Sequence, residues 1–414
     1  MASSTPLTTP PLPPPSPPPP PKASLSVRLK SAFIMGMTGV LSKWFLYGFN
    51  RVEVTGFSRF LDVLESRRDP AKRQRGLLTV SNHISILDDP VVWGILPFRY
   101  MIDPSNLRWT LGAADICFTN RFIAGFFSHG QVLPCHRLKH SPLGGPWQPS
   151  LAQAIRLLSG PHPTPSFFSS SSPSPSPSPK PPSSQPPSGS LAPPSPAAPV
   201  SHAFHPTARM PLPPYSWVHV FPEGCVHQHP STDLRYFKWG LARLLLESDP
   251  APLMIPVFID GMQRIMPEDR GFPRFLPRIG RTVRVAFGEP VDFEARFGDL
   301  KKRWDELVER ETKLLANDGK IQSRAEQGNG DATAGRWALG ELPTEELRCG
   351  KEAQEIRIEL ARRVREEVLK VRRSLGHFPE PDPSFGLAET WRPDDEIEAT
   401  KYKSRVDGSR INQD

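Results

Sequence analysis

The sequence predicts an α/β fold, a single domain with one mixed sheet flanked by helices and one apolar helix ahead of it. Three observations predict it. Short apolar runs, LLTVS at 77–81, WVHVF at 217–221, LMIPVFI at 253–259 and TVRVAF at 282–287, alternate with stretches of helical periodicity, the mark of α/β architecture. Many of the 52 prolines among the 414 residues fall in two Pro/Ser-rich tracts. That leaves about 200–250 residues to pack, enough for one core. The third observation is a nearly uncharged stretch at 31–50, ahead of the first strand.

Residues 1–30 open on Pro, Ser and Thr and are expected to be disordered. No Asp or Glu occurs from Met1 to Val52, whereas Lys22, Arg28, Lys30, Lys43 and Arg51 are basic. That balance suits organelle import, although the early prolines prevent a presequence helix in the first turns. Within 31–50, Lys43 divides the run into two pieces, each too short to span ~30 Å of hydrocarbon alone. Trp44, Phe45, Tyr47 and Phe49 crowd one end, as in an interfacial anchor. The stretch reads as an N-terminal membrane-associating helix; a helix packed on the domain's own core is the other reading.

Residues 51–158 form the first part of the domain. The run at 77–81 is bounded by Gly76 and Asn82 and reads as a buried strand. A helix is expected over 90–96, with Asp89 as N-cap and Pro90 in its first turn, where the missing N–H costs nothing. Another is expected over 151–158, where Leu151, Ile155 and Leu158 share a face. Residues 159–214 then become Ser/Pro repeats whose only charged side chains are Lys180 and Arg209. Such a segment buries too little to offset its chain entropy and is expected to be a disordered insertion. A polyproline II ligand for an SH3-like partner is the alternative use.

The domain resumes over 215–316, with a helical stretch at 239–247. A linker is expected over 317–345, a charged amphipathic helix over 346–376 and a tail over 377–414. Ile356, Leu360, Val364, Val368, Val371 and Leu375 recur at three- and four-residue steps along that helix. Its basic flank (Arg362, Arg363, Arg365, Lys370, Arg372, Arg373) faces either lipid or solvent.

The formal charge of +8 suits phosphate-bearing partners. No zinc-finger, homeodomain or RNP-type pattern is present, which argues against nucleic acid. The four cysteines, 117, 135, 225 and 349, form no C-x-x-C pair and no disulfide framework. His227 and His229 make an H-x-H without an evident third ligand, so no metal and no cofactor are expected.

Two constellations carry chemistry. In SNHISILDDP (81–90) a strand ends, His83 follows, and Asp88 comes five residues later. In a continuous helix those side chains would point about 140° apart. A strand–loop–helix turn instead folds the carboxylate back on the imidazole. The carboxylate then holds one ring nitrogen while the other takes a proton from an alcohol. A core histidine beside a helix-capping aspartate is the plainer reading of that pair. The second is Phe221-Pro222-Glu223-Gly224, at the end of another strand on the edge where α/β sheets bind ligands. A plain turn is its plainer reading.

Together, the NHx4D block and the FPEG block resemble the glycerolipid acyltransferase superfamily and, within it, the tafazzin family. RWTLGAADICFTN (108–120), RYFKWGLARLL (235–245) and IPVFIDGMQRIMPE (255–268) follow in the expected order. The likeness covers about 31–295 without the insertion. It implies His83 as general base, Asp88 as its orienting partner, and Asn82, Glu223 and Gly224 around the lysolipid or headgroup. It also implies a CoA-independent transacylase exchanging acyl chains between phospholipid and lysophospholipid, cardiolipin and monolysocardiolipin included. Such enzymes are monotopic on mitochondrial membranes, facing the intermembrane space. One departure stands out: Cys225 and Val226 follow FPEG where family members commonly carry a basic residue. Arg235, Lys238 and Arg243 are candidates to supply that charge, with structural ion pairing as their other role. An acyl-CoA-dependent lysophospholipid acyltransferase and an inactive membrane scaffold are the competing functions.

Overall fold

The computed structural model describes residues 24–137, 141, 143–161, 212–273, 275–317 and 337–393. The disorder expected for most of 1–30 and of 159–214, most of the linker and the end of the tail therefore lie outside the described residues. The chain runs α1 (Leu25–Phe49), β1 (Arg51–Thr55), α2 (Phe57–Ser66), β2 (Leu77–Ser81), α3 (Asp88–Val92), a 3-10 turn (Trp93–Ile95), α4 (Phe98–Met101), β3 (Trp109–Ala113), α5 (Ala114–Cys117), α6 (Arg121–His129) and β4 (Val132–Cys135). It continues with α7 (Pro149–Leu158), β5 (Trp217–Val220), α8 (Gly240–Leu246), β6 (Leu253–Asp260), α9 (Met262–Ile265), β7 (Thr282–Phe287), α10 (Phe293–Asn317), α11 (Glu345–Cys349) and α12 (Lys351–Ser374).

The sheet is mixed and seven-stranded, ordered β1-β7-β6-β2-β5-β3-β4. The five strands from β6 to β4 run parallel; β1 and β7 run parallel to each other and antiparallel to the rest. β2 lies at the centre, all five residues buried. That explains why its sequence is a continuous apolar run rather than an alternation. Period-two geometry then sorts the side chains. Leu78, Val80, Val218, Val220 and Phe258 join a core with α7, α8, α10 and α12. Leu77, Trp217, Ile255, Val257 and Ile259 join the opposite core with α2, α3 and α4.

Four strands fall where the apolar runs put them, to within one residue. β1, β3 and β4 were not anticipated: RVEVT, WTLGA and VLPC are short and compositionally mixed. The helix expected over 90–96 begins at Asp88 and tightens after Val92 into the 3-10 turn. Asp89 is not its cap, because its carboxylate accepts from Arg108 Nε at 3.2 Å.

α1 starts six residues before the expected boundary, with Ser24 at its N-cap. Its buried face mixes small or polar residues, Ser31, Gly36 and Ser42, with Met35 and Leu46, which join the core. Ser42 Oγ donates to Pro90 O at 2.8 Å, and Lys43 Nζ donates to the carbonyls of Gly94 and Leu96. The outward stripe is apolar: Leu25, Leu29, Phe33, Val40, Leu41, Trp44 and Tyr47 are exposed. On this helix exposed large apolar side chains thus outnumber buried ones, unlike an amphipathic helix that faces water. No helix among the described residues is long and apolar enough to cross a membrane.

The expected stripe of α12 is in the core. Its basic flank is engaged by protein: Arg363 pairs with Asp299, Lys370 with Glu367 and Arg373 with Glu380, while Arg365 and Arg372 are buried. Residues 377–393 differ from the expected tail. They return across the domain, and Trp391 ends 8% exposed with its Nε1 donating to Phe385 O.

Candidate active site

Because β2 and β5 are parallel neighbours, the loops after them leave the same edge of the sheet. The first carries His83, the second Glu223. The loop after β2 turns directly into α3, so Asp88, first residue of that helix, comes back under the imidazole. His83 Nδ1 lies 2.9 Å from Asp88 Oδ2. The same oxygen accepts the backbone N–H of Ile84 at 2.7 Å and of Ser85 at 2.9 Å.

Those contacts fix the tautomer. Two amide N–H groups already aim at Oδ2, making it an acceptor, so the ring nitrogen facing it carries the hydrogen. Nε2 is left with its lone pair, and no described residue is hydrogen-bonded to it. The His83 side chain is 22% exposed while Asp88 is fully buried. Burial pushes the Asp88 carboxyl above the ordinary carboxylate range, and the bonds from His83, Ser85 and Ile84 oppose that push. Phe221 stacks on the imidazole, centroids 4.3 Å apart, and limits ring rotation.

Glu223 bridges the two loops. Oε1 accepts the His83 backbone N–H at 2.8 Å and Oε2 that of Arg235 at 2.9 Å. Burial pushes its carboxyl up to about 7, against these two bonds and the charges of His83 and Arg235. Gly224 has φ +69°, a left-handed conformation that favours glycine. A Cβ there would also stand 2.9 Å from Lys238 Cδ, so the absence of a side chain lets Lys238 lie across the turn.

The structure redistributes the other site candidates. Asn82 faces β6: its amide donates to Ile259 O and accepts from Ile259 N, both at 2.8 Å. Both ends of that amide are occupied by backbone, so Asn82 fixes where the loop leaves the sheet rather than offering a group to substrate. The Arg235 guanidinium is buried under Trp391, 4.7 Å from the ring centroid, with Nη1 3.3 Å from Cys225 Sγ. Its backbone N–H holds Glu223 directly, and its charge acts on the same carboxyl. Arg243 pairs with Glu247 and donates to Pro146 O and Gly340 O, a structural use. Of the basic candidates, Lys238 is the one placed at the Gly224 turn.

His227 and His229 are part of the scaffold. The His227 N–H donates to His83 O at 2.8 Å, and burial pulls its ring down to about 4. His229 Nδ1 lies 2.8 Å from Ser231 Oγ. Phe221, named in the FPEG block, proves to be the residue stacked on the imidazole. Two contributors were not anticipated. His219, edge-on to the Phe221 ring with centroids 4.5 Å apart, is held neutral by burial, which lowers it to about 3, and contacts Thr79 Oγ1 at 2.8 Å. Gln228 donates through Nε2 to Ile84 O at 2.8 Å and Met266 O at 3.0 Å. No spacing rule marks these residues; their positions within the WVHVFPEGCVHQ segment are the one sequence signal they had.

This arrangement can accept a proton at Nε2 and hold the resulting imidazolium against a buried carboxylate. Among the described residues no serine, threonine or cysteine is hydrogen-bonded to Nε2, an arrangement that suits attack by a substrate group rather than by a protein nucleophile.

Three relatives share this sequence over long spans. The chain is 33% identical over 363 residues to a tafazzin of Saccharomyces cerevisiae, covering 86% of this chain and 81% of the relative. It is 29% identical over 263 residues to a taffazin of Dictyostelium discoideum, 62% and 68% covered. It is also 29% identical over 248 residues to an N-acylphosphatidylethanolamine synthase of Arabidopsis thaliana, 59% and 64% covered. No family model matches the chain.

Proposed function

Since the chain belongs to the tafazzin family and is an acyltransferase, we propose that it is a CoA-independent phospholipid–lysophospholipid transacylase. In this reading it remodels cardiolipin acyl chains, monolysocardiolipin being one acceptor, as a monotopic protein on mitochondrial membranes facing the intermembrane space. The outward apolar stripe of α1 supports the membrane placement. The observation that carries the chemistry is the imidazole of His83, pinned at Nδ1 by a buried carboxylate and open at Nε2.

The lysolipid hydroxyl gives its proton to Nε2 as its oxygen attacks the acyl carbonyl of a donor phospholipid. Asp88 stabilises the imidazolium that forms. On collapse, the imidazolium returns the proton to the departing glycerol oxygen. One ester and one hydroxyl go in, and one ester and one hydroxyl come out. The exchange is close to thermoneutral, and no cofactor supplies energy. Lys238, beside the Gly224 turn, is the candidate for contact with a headgroup phosphate; Asn82, Glu223 and the Arg235 backbone act by holding the two loops.

The test is acyl transfer from vesicle phosphatidylcholine to labelled lysophospholipid by purified full-length chain, with acyl-CoA rigorously absent. Transfer is expected. Transfer that occurs only after acyl-CoA is added makes the protein a CoA-dependent lysophospholipid acyltransferase instead. Label that accumulates as an N-acyl product when phosphatidylethanolamine is the sole acceptor reassigns it toward the activity named for the Arabidopsis relative.

A further inference from the structure

The segment between α9 and β7 has no part in the chemistry above. From 270 to 281 it reads RGFPRFLPRIGR, four arginines and no acid, with apolar residues set between them. Phe272 is 94% exposed and Phe275 77%, and Leu276 and Ile279 are also exposed. Side chains of that size standing in water mark a contact surface.

Its place in the fold identifies what it contacts. β7 runs antiparallel to β6, so residues entering β7 lie at the edge where β6 and β2 end, the edge of His83. Backbone bonds fasten the segment to the end of α1: Gly280 N–H donates to Phe49 O at 2.8 Å, and Arg281 N–H to Asn50 Oδ1 at 3.1 Å. The exposed stripe of α1 reaches that end with Trp44 and Tyr47. On the other side, Gln228 Oε1 accepts Glu268 N–H at 2.9 Å while its Nε2 holds Ile84 O in the catalytic loop. Ile86, in that loop, is exposed as well.

We propose that residues 270–281 are a second membrane-contact element, docking on an anionic phospholipid surface beside His83. The proposal rests on the lipid-acting reading of the site and deepens it. The occupant is argued from charge and continuity. Aromatic and aliphatic groups interleaved with arginine suit the headgroup–acyl boundary of an anionic leaflet. The segment also prolongs an apolar helix face already assigned to the bilayer. Docking here brings lipid ester groups to the sheet edge where Nε2 is open, so an acyl chain need not leave the bilayer entirely.

The experiment is co-sedimentation of full-length protein with phosphatidylcholine vesicles, with and without roughly 30 mol% phosphatidylglycerol. One variant carries Phe272→Ser, Phe275→Ser and Ile279→Ser; a second carries Arg278→Gln and Arg281→Gln. All five side chains are exposed, and an unchanged thermal midpoint verifies the fold. The triple variant is expected to partition about thirty-fold more weakly onto anionic vesicles. The arginine pair is expected to lose about ten- to thirty-fold on anionic vesicles and little on neutral ones. Wild-type partitioning by the triple variant overturns the proposal. So does a lipid-free wild type that self-associates through these residues, which assigns the surface to a second copy. Binding is read without turnover, so a chain that docks through 270–281 but transfers no acyl group leaves this inference standing and removes only the proposed reaction.

Discussion

Two regions at one edge of the sheet are built on opposite rules. In the floor of the site, polar groups are matched to polar groups: Asp88 Oδ2 takes three donors, Glu223 takes two, and Asn82 exchanges two bonds with Ile259. In the rim, formed by α1 and 270–281, large apolar side chains face outward with no described residue covering them. The floor is satisfied by the protein itself except at Asp88 Oδ1, which is buried with no hydrogen-bond partner among the described residues; such pairing matters because an unpaired buried polar group costs more than a hydrogen bond returns. The rim is incomplete by itself, as a docking surface must be. Chemistry is therefore expected to respond to changes in the floor, and membrane residence to changes in the rim.

The sharpest break of that division is His83→Ala. Loss of the base is expected to lower transacylation about 10³-fold while vesicle co-sedimentation stays at the wild-type level. Full activity in the folded variant would remove His83 from the mechanism; loss of vesicle binding would show that floor and rim are one unit. Asp88→Asn is milder. The amide oxygen can still accept from Ile84 and Ser85, but the charge opposing the imidazolium is gone. A loss on the order of 10²-fold is expected, measured as initial rates at saturating vesicle concentration.

Glu223 sharpens the comparison through pH. Burial pushes its carboxyl in the folded chain up from the ordinary 4.5 to about 7. The folded state therefore holds this proton more tightly than the unfolded chain does. The stability it contributes is fully present below about pH 4.5 and is lost as pH rises through about 7, a change on the order of 3 kcal/mol. Glu223→Gln cannot titrate. Urea unfolding at pH 5 and pH 8 is expected to show a larger fall in stability for wild type than for the variant. Equal slopes would mean that Glu223 is already ionised across that range.

The sheet was legible because its central strand, LLTVS, is buried on both faces and so must be a continuous apolar run, while TVRVAF, one strand in from the edge, shows itself by alternation, with Arg284 half-buried between Val283 and Val285. β1, β3 and β4 were not, because edge or short strands carry Glu53, Gly112 or Pro134 without penalty. The pairing of His83 with Asp88 was legible once a strand and a helix start were recognised on either side. The fates of Asn82 and Arg235 were not. What buries Arg235 is Trp391, more than 150 residues away in sequence, and what occupies Asn82 is the backbone of a neighbouring strand. Residue type gives the hydrogen-bonding capacity of a side chain; only the fold shows whether that capacity is already used.

Gln228 ties the floor to the chain that leads into the rim. Through Nε2 it holds Ile84 O on the floor and Met266 O, and through Oε1 it accepts Glu268 N–H, the last two lying just ahead of residue 270. Gln228→Ala removes three bonds and leaves two carbonyls and one amide to find other partners, each bond worth about 1 kcal/mol net. The rim's exposed side chains are untouched, so vesicle partitioning is expected to stay within about two-fold of wild type. Nδ1 and Asp88 are untouched too, so the pH profile of transfer is expected to keep its shape. What changes is the placement of the catalytic loop relative to the docked surface. A loss of about five- to ten-fold in kcat on vesicles is expected, with a smaller loss on lysolipid and phospholipid dispersed in detergent, where no bilayer fixes the rim. Equal losses in both assays would mean that Gln228 merely stiffens the His83 loop, and that the two regions meet without acting on each other.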